Sequence, residues 1–125
     1  MNWTLELIIL PVTDVDRAKD FYANKVGFNV DHDHTVSEEV RFVQLTPPGS
    51  ACSIAFGKGL TDAEPGSVQG IFLVVEDIEA AREHLLANGI EVGPVDVQPW
   101  GHFLYFTDPD GNGWTVQYLP YRNQA

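Results

Sequence analysis

One cysteine is all the thiol chemistry this chain has, and Cys52 alone cannot close an intrachain disulfide. A chain without disulfides suits a reducing compartment, so the cytoplasm is the expected location. Cations are also sparse. Seven lysines and arginines stand against eighteen aspartates and glutamates, for a formal net charge of −11. The seven are scattered, so the basic patch that nucleic acid or an anionic membrane requires is missing, and neither is expected as a partner. No apolar run approaches the ~20 residues of a membrane span, and the N-terminus shows no charged-then-apolar signal pattern. There is no Ser-His-Asp spacing, phosphate-binding glycine loop or pair of catalytic carboxylates.

The most ordered stretch runs from Phe103 to Gln117. An alternating aromatic strand stops at Asp108-Pro109-Asp110-Gly111-Asn112, where proline fixes φ and glycine permits the reversal, and a second strand follows. Asp108 and Asp110 read as turn residues. Phe42 to Ala55 is a weaker copy: aligning Phe42 with Phe103 pairs Val43 with Leu104 and Leu45 with Phe106. Counting on from the turn glycines, Gly49 and Gly111, pairs Ser53 with Thr115 and Ala55 with Gln117.

The rest of the chain keeps that duplication. An apolar strand from Leu5 to Val12, covered on both faces, leads to a helix capped by Asp14 and ended by Gly27. Strands follow over Phe28–His34, Val40–Thr46 and Cys52–Phe56. The second half repeats the order with a strand over Ile71–Val75, a helix capped by Asp77 and ended by Gly89, and strands around Ile90–Val95, His102–Phe106 and Trp114–Leu119. Asp14 and Asp77 lie 77 − 14 = 63 residues apart. The organisation expected is one domain over 1–125, with modules at about 4–57 and 70–120 and a linker over 58–69 that lacks periodicity.

Two β-α-β-β-β modules and the Asp108–Asn112 turn resemble the vicinal oxygen chelate superfamily of glyoxalases, extradiol dioxygenases and bleomycin-resistance proteins. The resemblance spans about Leu5 to Leu119. It implies an α+β fold: two tandem modules whose sheets curve into half-barrel clefts, with helices on the convex face and a homodimer as the common assembly. It also implies metal ligands at four inward positions, usually His, Glu or Gln. Those positions fall on Leu7, Ser53, Gly70 and Thr115, none of which is a good ligand for a divalent cation. The resemblance is therefore to a member without the metal centre, and no cofactor is expected.

Strand alternation then selects the cleft residues. Phe42, Gln44, Ser53, Phe72, Phe103, Tyr105, Thr115 and Gln117 face inward as the candidate ligand-binding set, while Val43, Leu45, Leu104 and Phe106 lie under the helices. Apolar walls with a few polar groups suit a small-molecule pocket, or equally a filled core whose polar groups satisfy one another. His102, beside the expected cleft mouth, and Tyr105 are the candidates for proton transfer. Asp31-His32-Asp33-His34 sets two histidines on one strand face, an arrangement shared by metal pairs and solvated edges. Cys52 falls on the convex side by parity, as a small hydrophobe.

Three functions remain open on these residues: a metal-free, bleomycin-resistance-like protein binding a small, partly aromatic molecule in a dimer cleft; an isomerase, lyase or dioxygenase-like enzyme of the same fold using His102 or Tyr105; or a collapsed cleft that serves a protein partner. The missing ligand set makes a prediction common to all. Purified protein should carry no stoichiometric divalent metal, and a chelator should leave its melting temperature unchanged. About one Zn, Ni, Mn or Fe per chain in elemental analysis refutes this.

Overall fold

The computed structural model describes residues 1–120. The first module comprises β1 (Leu7–Ile9), α1 (Val15–Asp20), β2 (Asn29–Thr35), β3 (Arg41–Thr46) and β4 (Ser53–Lys58). The second comprises β5 (Ile71–Val74), α2 (Ile78–Ala87), β6 (Asp96–Gln98), β7 (Gly101–Thr107) and β8 (Gly113–Tyr118). The sheets have the same topology, β1-β4-β3-β2 and β5-β8-β7-β6. In each, the first strand runs parallel to the last and the other pairs are antiparallel.

Local chemistry starts and stops the helices as expected. Asp14 accepts from the Arg17 amide and Asp77 from the Ala80 amide, each satisfying a donor at a helix start. After Asp20 the first helix widens into a π-helical turn, Phe21–Val26, ended by Gly27 at φ 100°. There the amides of Gly27 and Phe28 both donate to the Tyr22 carbonyl, and the wide turn puts two successive aromatics, Phe21 and Tyr22, on the buried side.

Two strands differ from expectation. β1 is three residues long, and Ile9 on its outer face is 40% exposed, because it is an edge strand with Pro11 removing a ladder donor. The strand expected over Ile90–Val95 begins only at Asp96. Gly93-Pro94 interrupts it, and Ile90, Val92 and Val95 pack on the core without a ladder.

The repeat also needs one correction. Phe42 pairs with Gly57 as Phe103 pairs with Gln117, and Gln44 pairs with Ala55 as Tyr105 pairs with Thr115. Ala55, not Ser53, is therefore the counterpart of Thr115. Gly49 stands four residues before the start of β4 but Gly111 only two before the start of β8, so counting from the glycines slips by two. A slip of two preserves the face.

The core joins the helix-facing sides of both sheets. Val43, Leu45, Ile54 and Phe56 of the first sheet and Leu104, Phe106, Trp114 and Val116 of the second belong to one cluster with Phe21, Tyr22 and Leu85 from the helices. Tyr22 is its centre, with its ring against Phe21, Phe28, Phe56 and Trp114 at centroid separations of 5.0–5.9 Å. The phenol donates to Asp108 Oδ2 at 2.7 Å and accepts from Trp114 Nε1 at 2.9 Å. Asp108, 4% exposed, also accepts from the Asp110 amide and from both the backbone and the side-chain nitrogens of Asn112. Asn112 in turn donates to the Pro11 carbonyl and accepts from the Val68 amide, while Asp110 accepts from the Thr13 hydroxyl. The expected turn is thus also the clamp between modules. The segment before β5 presses against it so closely that a Cβ on Gly66 would lie 2.2 Å from the Asp110 carbonyl oxygen.

Burial and the neighbouring Asp108 push the Tyr22 phenol far above its usual range. Its folded pKa lies above the unfolded value of about 10, so its contribution to stability is complete below that pH and is lost as pH rises beyond it. Tyr22→Phe should cost about 2–3 kcal/mol, since it strands the Trp114 N–H and removes a bond to a carboxylate. The variant should also lose part of the alkaline fall in stability. Denaturant unfolding at neutral pH and above pH 10 checks both; a loss below about 0.5 kcal/mol refutes the clamp.

Candidate functional site

The outer face of the second sheet holds a cavity of about 340 Å³. Phe103 and Tyr105 from β7, Thr115 and Gln117 from β8 and Phe72 from β5 line it, all at positions alternate to the core residues. Asp96 and Gln98 from β6, Trp100 from the β6–β7 turn and Leu119 complete the wall. Register fixes their arrangement. Asp96, Phe103 and Gln117 form one row across three strands, and Tyr105, Thr115 and Phe72 another.

Five of the eight residues selected by alternation therefore lie together. Phe42, Gln44 and Ser53 belong to the first sheet and do not line this cavity. Phe42 and Gln44 are half-buried on that sheet's outer face, with His34 and His32 as their cross-strand neighbours. Ser53 is buried, shares a 2.6 Å hydrogen bond with the Thr46 hydroxyl, and borders a separate groove of about 440 Å³ between β1 and β5. Cys52 is half-buried at the same groove.

Polar chemistry in the cavity centres on Asp96, which sequence reasoning missed because its segment was expected to be loop. The Tyr105 hydroxyl donates to Asp96 Oδ2 at 2.7 Å and Gln98 Nε2 donates to Oδ1 at 2.8 Å. These bonds, Tyr105's first, hold the Asp96 carboxyl below the usual carboxylate range. The same bond raises the Tyr105 phenol. Tyr105 is 54% exposed, yet its proton already has an acceptor.

His102 lies elsewhere. It alternates with Phe103 and Tyr105, so its ring is on the core side, 5.5 Å from the cross-strand Tyr118 ring, and it does not line the cavity. His32 and His34 sit on the exposed edge strand β2. Between them Asp33 turns to the helix face and bonds Lys19 and Arg41. Arg41 first, then Lys19, pulls the Asp33 carboxyl below its ordinary range.

The four family metal positions do not fit a metal. Leu7 is level with Ser53, and Thr115 is level with Phe72 rather than with Gly70, which precedes β5. None of these side chains supplies imidazole, carboxylate or thiolate. Among the described residues, no three His, Cys, Asp or Glu side chains gather where they would hold an ion. Likewise, no helix among them is long and apolar enough to cross a membrane.

Comparison with known proteins agrees with this fold. The chain is 31% identical to the Bacillus subtilis (strain 168) protein YetH over 103 residues, 81% of this chain and 86% of the relative. A crystal structure of TnmS3, an antibiotic binding protein from Streptomyces sp. CB03234, is 31% identical and superposes with a TM-score of 0.86, covering 94% of this chain and 97% of that one. A Sphaerobacter thermophilus DSM 20745 member of the Glyoxalase/bleomycin resistance protein/dioxygenase superfamily is 30% identical with a TM-score of 0.83, over 94% and 98% of the two chains. Residues 4–116 match the family model as well, and the chain therefore belongs to the Glyoxalase/Bleomycin resistance protein/Dioxygenase superfamily.

Proposed function

We propose that this protein binds a small, partly aromatic molecule without a metal, in a cleft that a second copy completes. The carrying observation is the cavity on the second sheet: an aromatic wall of Phe72, Phe103 and Trp100 with a few oriented polar groups, of a size suited to small ligands. The likeness to TnmS3, an antibiotic binding protein, favours binding over a structural role.

Support for the second copy comes from the outer faces. Phe72 and Val74 on β5 are 53% and 54% exposed, and Ile9 on β1 is exposed too. Large apolar side chains clustered at sheet edges mark surfaces that another chain covers. In a two-fold dimer, the outer face of one chain's first sheet closes over the second-sheet cavity of its partner, giving two equal clefts. Phe42, Gln44 and Ser53 then complete the ligand-binding set from across the interface.

Binding without catalysis is favoured over proton transfer because His102 faces away from the cavity and the Tyr105 hydroxyl is engaged in a hydrogen bond to Asp96 that holds its proton on the phenol.

Light scattering should return twice the chain mass of 13.9 kDa at micromolar concentration; the monomer mass refutes the shared cleft. Naphthylmethanol, a neutral aromatic probe, should bind with a Kd below about 1 mM by calorimetry, an affinity of about −4 kcal/mol. Gln117→Leu should weaken it about threefold to tenfold, the worth of one hydrogen bond. Phe42→Ala, remote from the chain's own cavity, should also weaken it by about threefold or more if a partner supplies that residue. Unchanged affinity in both variants refutes the proposed site.

A further inference from the structure

We infer that the cleft selects aromatic amines, or other aromatic cations, over aromatic anions, and that Asp96 is the group that recognises the charge. This rests on the proposed small-molecule site and specifies what it takes. Among the described residues Asp96 is the only charged side chain lining the cavity. Arg17, Lys19 and Arg41 are engaged by Asp110, Asp33 and Asp16, away from it. Among the described residues no lysine or arginine is in the lining, and the formal charge of −11 repels an approaching anion.

The carboxylate is held ready. Tyr105 and Gln98 each use one lone pair on a different oxygen, which fixes the group and leaves acceptor capacity for a donor from the ligand. The Trp100 ring is 66% exposed in the same wall, so a cation beside Asp96 also has an aromatic face to meet. Asp96, Phe103 and Gln117 lie in one row over three neighbouring strands. Two strand spacings of ~4.8 Å put about 9.6 Å between the backbones at its ends, room for a bicyclic ring lying over Phe103. Its donor edge meets Asp96 and its other edge meets the Gln117 amide.

Three matched probes test this by calorimetry and ligand-observed NMR: naphthylmethylamine, naphthylmethanol and naphthoate. The amine should bind at least about tenfold tighter than naphthoate at low salt, with the alcohol between them. Asp96→Asn should shrink that preference to under about threefold while changing the alcohol's affinity less than that. Tyr105→Phe, which keeps the carboxylate, should retain the preference. Equal or tighter binding of naphthoate overturns the selectivity and leaves the pocket standing. A preference undiminished in folded Asp96→Asn overturns the role of Asp96. Binding of none of the three at millimolar concentration overturns the pocket and this inference together.

Discussion

Asp108 is the constraint on which the other parts depend. A buried carboxyl group is tolerated only when its oxygens are filled, and here four donors fill them: the Tyr22 hydroxyl, two nitrogens of Asn112 and the Asp110 amide. Three come from the turn itself and one from the other module. The first module's π-helical turn delivers Tyr22 to that point, and Trp114 follows because its N–H needs the same hydroxyl. The aromatic cluster around Tyr22 then sets how the two sheets share one core.

That shared core decides where chemistry can occur. With the helix-facing sides of both sheets buried together, the outer faces are the sides that the sheets leave open. On the second sheet this face combines aromatic side chains with a few polar groups and one oriented carboxylate, the features on which the proposed binding of an aromatic molecule rests. On the first sheet's outer face, Ala55 stands where Thr115 stands on the second and Gly57 where Gln117 does, so the corresponding rows carry smaller side chains.

Much of this was legible in the residues. The caps at Asp14 and Asp77, the glycine stop at position 27 and the alternation of Val43, Leu45, Leu104 and Phe106 toward the core all depend on local rules, and all are found. The family and the α+β architecture followed from the same patterns. Where the structure departs from these rules, one cause is distance along the chain, and the others are a strand boundary and a strand parity. Asp108 and Asp110 behave locally as turn residues, and nothing nearby reveals that Tyr22, 86 residues away, needs Asp108. The proline at position 94 keeps Ile90–Val95 from forming the expected strand and starts β6 only at Asp96, which brings into the cavity a carboxylate that the expected strand left out. His102 was assigned by nearness to Tyr105, but its parity places it with the core.

The clamp is built once although the module is built twice. At the 63-residue offset, the counterpart of Tyr22 is Leu85, and Ile54 holds the ladder position of Trp114. The shorter turn with its aspartate belongs only to the second half, and the phenol that satisfies it only to the first. Two copies of the second half would each bury an aspartate against a leucine, and two copies of the first would have no aspartate to offer. The repeat is thus symmetric in its topology and asymmetric in its polar core: the second half holds the buried carboxylate and the first holds the phenol that fills it, so neither half can stand in for the other.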